Sequence, residues 1–215
     1  MRKFRFVNGE YYHIYNRGVE KRIIFSDQYD FDRFLQCLNE FNSVKPIGSI
    51  FENSFKKGQL SNKITKLVDV VCYCLNPNHY HIILRQRVDN GISEFMRRIG
   101  TGFTQHFNIK YRRTGVLFQG KFKAKHVDSN EYLTHLSAYV NLNNKVHKIK
   151  GDMEFRSSWK EYLSPSDKTH KLCSSSLIHD QFDTLDEYKN FSLNSLGNIL
   201  KRKQLFKEME ELLFD

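Results

Sequence analysis

No apolar run in this sequence approaches the ~20 residues needed to span a bilayer, so nothing in it reads as a transmembrane helix. Met1-Arg-Lys-Phe-Arg-Phe6 is basic but has no apolar stretch behind it, which argues against a secretory signal. The four cysteines, Cys37, Cys72, Cys74 and Cys173, lack the spacing of a disulfide framework. A glycine-rich phosphate loop of the Walker type is missing, so ATP chemistry is not signalled. These absences lead us to expect a cytoplasmic protein with reduced thiols and no membrane partner. One further absence is local: there is no Asp or Glu between Arg97 and Lys125.

The chain has 215 residues, 40% hydrophobic and 27% charged, enough to build a core. That length fits one domain with an appendage, or two small domains. Net charge is +10 and pI about 9.4. Such a surplus points to a polyanionic partner, nucleic acid before a membrane surface. The stretch free of acids carries Arg97, Arg98, Lys110, Arg112, Arg113, Lys121, Lys123 and Lys125. Phe103, Phe107, Tyr111, Phe118 and Phe122 are interleaved with them. Cations neutralise phosphates and aromatic faces stack on bases, so the mixture suits single strands. The competing reading makes the aromatics core and the cations solvated, and for the aromatics core is what we expect.

Tyr11–Arg17 alternates and reads as a strand. Ser26 or Asp27 caps a helix to about Ser43, with Phe31, Phe34, Leu35, Leu38 and Phe41 on one stripe. Residues 44–64, with Pro46, Gly48 and Lys56-Lys57-Gly58, read as an irregular insertion with room for a short strand. Leu67–Leu75 and Tyr80–Leu84 form a hairpin around Asn76-Pro77-Asn78. A helical period runs from Ile92 to about Tyr111, weakened by Gly100 and Gly102. Val116–Val127 reads as a strand interrupted at Gly120. Asp128 or Ser129 caps a helix through Tyr139 and Val140, extending toward Leu142-Asn143. The order β-α-β-β-α-β-α predicts an α+β fold: a ferredoxin-like split βαβ antiparallel sheet with an extra helix. We place this domain at residues 1–163. Residues 164–215 are then a linker, to about 183, and a C-terminal helical extension. A capping box at Thr184–Glu187 opens the extension, Gly197 interrupts it, and a second helix runs to Phe214.

Two features carry chemistry. His79 and His81 are i and i+2 on a strand, so both imidazoles share a face and Tyr80 faces away. They can meet one ion, or be ordinary surface or core histidines. Tyr139 and Asn143 are four apart on a predicted helix, one turn from each other, with His135 a turn earlier as a further polar neighbour. Tyr139 can likewise be a core ring. Together the pieces fit one reaction. A phenol with a pKa near 10 is a weak nucleophile. A divalent cation on a phosphate, held by two imidazoles and an amide oxygen, offsets the developing charge. Attack yields a phosphotyrosine and splits strand transfer in two.

These motifs resemble the HUH single-tyrosine transposases, most closely the REP-associated tyrosine transposase branch related to the insertion-sequence 200/605 group. The matching pieces are Tyr12–Gly18, Ile24-Phe25 with Asp30, Leu75–Leu84, Gly115–Lys123, Tyr132–Asn143, and Arg156-Ser-Ser158 with Tyr162. The resemblance implies that His79, His81 and Asn143 hold Mg²⁺ or Mn²⁺ and that Tyr139 is the nucleophile. It implies cutting and rejoining of single-stranded DNA beside short hairpins, with a 5′-phosphotyrosine and a free 3′-hydroxyl. A homodimer is one of the assemblies known in such families. Two departures stand out. Asn76 replaces a common methionine, and Asn144-Lys145 replaces a helix-stopping Pro-Val.

Two rivals remain. One is a non-catalytic nucleic-acid-binding ferredoxin-like protein. The other is a zinc site combining Cys72 and Cys74 with the histidines. Under the enzymatic reading, Arg17 and the cations of 97–125 bind phosphates and set affinity rather than sequence choice.

Overall fold

A computed structural model describes residues 5–55, 64–147, 155–164 and 172–213. Lys56-Lys57-Gly58, much of the expected linker and Phe214 lie outside these residues.

Five antiparallel strands form one sheet: β1 Tyr11–Arg17, β2 Val68–Asn76, β3 His79–Gln86, β4 Lys123–Val127 and the short β5 Arg156–Ser157. Their order is β4-β1-β3-β2-β5. The first four give the expected split βαβ arrangement, and β5 extends its edge. Asn76 pairs with His79, so Pro77 and Asn78 alone turn the β2–β3 hairpin. The Pro77 carbonyl accepts from the amides of Ile24 and Phe25, which locks the turn to the chain leaving β1.

The Tyr80 face of the sheet is covered by α1 Gln28–Glu40 and, after the short α2 Ile50–Ser54, by α3 Gly91–Lys110. Asp27 caps α1, its carboxylate accepting from the Asp30 amide at 3.1 Å. Phe34 meets Tyr80 and Phe103 with ring centroids 5.2 and 5.1 Å apart, and Phe25 stacks on Phe31 at 4.8 Å. Phe103 and Phe107 are buried and Phe118 and Phe122 pack against the core, as expected of core aromatics. Gly102 sits where a Cβ would come within 2.8 Å of the Phe41 ring, so glycine is what lets α3 approach there.

Several boundaries differ from the sequence reading. Inside 44–64 the structured piece is a helix, α2, opened by a Ser49/Glu52 capping box rather than a strand. The strand expected from Val116 begins only at Lys123. Gly115 and Gly120 take positive φ (85° and 68°), which turns the chain before it can pair continuously.

The opposite face carries α4 Asn130–Asn141, with Ser129 as its cap. Helix geometry breaks at Leu142 (φ −108°, ψ 16°), and α5 Asn143–Val146 follows. Asn143 is therefore not on the helix of Tyr139, as the periodicity suggested, but opens the next one. After α6 Trp159–Leu163 and α7 Ser176–His179 comes α8, continuous over Leu185–Leu213; Gly197 does not interrupt it. Thr184 caps α8 through the Glu187 amide, while Glu187 reaches back to the Asp183 amide. Tyr188 is fully buried against α4, its hydroxyl accepting from Asn141 Nδ2 at 3.0 Å. Asn141 Oδ1 in turn accepts from Ser158 at 2.6 Å. The helical extension thus braces the helix that carries Tyr139. No helix among the described residues is long and apolar enough to cross a membrane.

Candidate active site

Alternation on β3 splits three neighbours: Tyr80 enters the core, and His79 and His81 face α4. His79 Nδ1 lies 2.6 Å from Asn78 Oδ1. An amide oxygen only accepts, so Nδ1 carries the hydrogen and Nε2 keeps its lone pair. That Nε2 lies 3.3 Å from Asn143 Oδ1, another acceptor. The Asn76 amide spans the two, donating to Asn143 Oδ1 at 2.8 Å and meeting His79 Nε2 at 2.9 Å. His81 Nδ1 is 2.8 Å from Nε2 of the buried His13. Orienting partners of this kind are what metal-binding imidazoles require.

Tyr139 is half-buried on α4, edge-on to the His81 ring at 5.7 Å and to the His13 ring at 6.4 Å. Its ring packs against the core on one side and borders the histidine cluster on the other. Burial raises its phenol pKa, and a hydrogen bond with Asn143 opposes that rise. His147 follows α5 and packs its ring 4.7 Å from that of His79. The ligand atoms of His79, His81 and His147 all lie within 4.8 Å of one another. Burial lowers the His79 pKa to about 4 and that of His81 well below its usual value. It also lowers His147, with Lys203 nearby adding to the effect. All three are therefore neutral near pH 7, the protonation state that binds a cation.

The donor set fits a divalent metal. Bonds near 2.1 Å place adjacent ligand atoms about 3.0–3.4 Å apart, and the His79–Asn143 separation of 3.3 Å falls in that range. Asn143 Nδ2 is buried without a hydrogen-bond partner, the residue being held by its oxygen alone. Among the described residues, the His/Cys/Asp/Glu group able to converge on one ion contains no cysteine. Cys72 and Cys74 are buried, and burial pushes the Cys74 thiol up to about 12 and Cys72 well above its usual value. Both pack in the sheet, and neither belongs to the converging histidine group.

His13, Asn76 and His147 were missed in the sequence. His13 could have been found as one more polar side chain on the alternating face of β1. His147 stands one turn after Asn143, a spacing that was visible. Asn76 required the register. His135, expected beside Tyr139, instead packs on α8, 4.7 Å from Phe191.

The cations divide between the two faces. Lys123 and Lys125 are exposed on β4 in register with Tyr15 and His13, and Arg17 is in register with His79. Partners in register share a face, so these three border the histidines. Arg17 donates to Gln119, and Lys125 Nζ lies 4.9 Å from the Tyr132 ring centre. Lys121 is exposed just before β4. Arg97, Arg98 and Lys110 are on α3, across the sheet. Arg98 is mostly buried and donates to Glu94 and to the Ser43 carbonyl at 2.7 and 2.6 Å. Lys110 donates to Asp27 and to the buried Asp30 at 2.7 and 2.8 Å. Arg97 pairs with Glu94. Arg113 donates to Asn108 and the Val116 carbonyl, and Arg112 is exposed beyond α3.

Residues 48–143 match the family model described as Transposase IS200 like. The span holds His79, His81, Tyr139 and Asn143 and stops before His147. Among solved structures, one of a REP-associated tyrosine transposase bound to a REP hairpin aligns with a TM-score of 0.53 and 14% identity. The alignment covers 77% of this chain and 87% of the other. At that identity the likeness concerns the fold. A search of curated proteins found no match. The motifs, the family model and the fold point the same way: residues 48–143 match the IS200-like transposase model, and the fold is similar to that of a REP-associated tyrosine transposase.

Proposed function

We propose that the protein is a metal-dependent DNA nickase and strand transferase that acts on single-stranded DNA beside a hairpin. The observation that carries this is the meeting of Tyr139 with the His79–His81 cluster, its ring 5.7 Å from that of His81. A divalent cation held by His79, His81 and Asn143 would polarise the scissile phosphate and offset the charge that develops on it. Mn²⁺ suits these nitrogen donors better than Mg²⁺. Asn78 and His13 hold the imidazoles in place, and α8 holds α4.

In the chemical step Tyr139 Oη attacks phosphorus and the bond to O3′ breaks. The products are a 5′-phosphotyrosine and a 3′-hydroxyl. The phenol loses one proton and the leaving oxygen gains one. One P–O bond forms for each broken, so rejoining needs no ATP. Tyr139 and the histidines meet within one chain, which favours action in cis. Arg17, Lys121, Lys123 and Lys125 provide the phosphate path, whereas Arg98 and Lys110 serve the fold.

The test is incubation with hairpin-flanked single strands and Mn²⁺, followed by denaturing electrophoresis. A covalent adduct lost in Tyr139→Phe but kept in Tyr132→Phe is expected. DNA binding with no adduct on any of many hairpins would leave a non-catalytic binding protein.

A further inference from the structure

We propose that His147 is a third imidazole of the metal site and makes it a three-histidine centre that favours Co²⁺ or Zn²⁺ strongly over Mg²⁺. The inference rests on the metal-dependent reading above and adds to it a residue outside the matched family span. The ligand atoms of His79, His81 and His147 lie within 4.8 Å of one another. Tetrahedral ligands on one ion with bonds near 2.1 Å stand about 3.4 Å apart. The cluster therefore closes on an ion with movement of less than about 1 Å by each ligand atom. His147 stands exposed at the end of α5.

The placement of His147 follows from α5. Its amide donates to the Asn143 carbonyl at 3.1 Å, so the two residues stand one helical turn apart. A turn that directs Asn143 at His79 directs His147 there too. The end of α5 is held in turn: Val146 is buried, and Lys203 of α8 donates to its carbonyl at 3.2 Å. The break at Leu142 matters here, because it lets α5 aim these two side chains independently of α4. Three imidazoles and an amide form a softer set than the oxygen shell Mg²⁺ prefers, and nitrogen donors favour the later divalent metals.

The experiment is titration of the metal-free, full-length protein with Co²⁺ and separately with Mg²⁺. Calorimetry gives affinity and visible absorption gives the cobalt ligand field. The variants are His147→Ala, His147→Phe and His81→Ala, each checked for folding by circular dichroism. His147→Phe keeps a ring against His79 but has no nitrogen. Both His147 variants should lose at least about tenfold in Co²⁺ affinity and shift the cobalt spectrum, with Mg²⁺ affinity nearly unchanged. Wild-type affinity and spectrum in His147→Ala would overturn the proposal. Retained Co²⁺ affinity in His147→Phe alone would overturn it too, by showing that packing is what counts. If His81→Ala abolishes binding in those cases, the two-histidine reading survives. If His81→Ala also binds normally, that reading falls with it.

Discussion

The two faces of β3 lie one residue apart and have opposite characters. On the Tyr80 face the neighbours are rings, and the cations of α3 are tied to Asp27, Asp30, Glu94 and backbone carbonyls. On the His79/His81 face three imidazoles converge beside the Asn143 amide oxygen, and Lys123 and Lys125 are exposed. The first arrangement ties cations to acids and carbonyls of the protein itself. The second gathers donors of the metal-binding type beside exposed cations, which is how a site differs from a core.

Mutations should separate the faces most sharply where burial is deepest. Phe103→Ala is expected to cost about 3–5 kcal/mol of stability, read by urea denaturation. His79→Ala should cost under about 1 kcal/mol in metal-free protein while removing nicking activity. Equal losses of stability would erase the distinction. Next come the lysines. Lys110→Ala leaves the buried Asp30 without its cation and should cost on the order of 3 kcal/mol, without changing the salt dependence of DNA binding. Lys123→Ala should leave stability unchanged and flatten the slope of log affinity against log salt by about 0.7, for all sequences alike. A sequence-selective loss would contradict phosphate contact.

The smallest effect is acid sensitivity, which the faces should show in different windows. His79 and His13 are each held by burial at about 4 against an ordinary 6.5, Lys125 adding to the effect at His13. Their unfolded forms take up protons first, so their contribution is full above 6.5 and lost as pH falls toward 4. Glu94, held at about 2 against 4.5 by Arg97 and Arg98, contributes fully above 4.5 and loses this as pH falls toward 2. Metal-free protein should therefore weaken in two steps. His79→Gln and His13→Gln together should shrink the upper one, to which His81 and His147 also contribute, and an unchanged profile would count against this assignment.

Much of this was legible in the residues. The hairpin at Asn76-Pro77-Asn78, the caps at Asp27, Ser129 and Thr184, and the His79/Tyr80/His81 split all rest on local periodicity and capping chemistry. Errors came where distant contacts overrode local preference. Gly197 lies inside one helix that is braced on α4. Gly115 and Gly120 turn a β-rich segment away from pairing until Lys123. Arg98 and Lys110 looked like phosphate binders, but their acidic and carbonyl partners come from elsewhere in the chain.

By itself the sequence determined the alternation that puts two imidazoles on one side of a strand, and the helix that carries Tyr139. Such patterns depend on neighbours within a few residues. Only the tertiary structure decided that Asn76, His13 and His147 join Asn143 around those imidazoles, and which lysines border them. The physical reason is that strand register, the break at Leu142 and the packing of α8 join residues from distant parts of the chain. No local spacing encodes the distances between them.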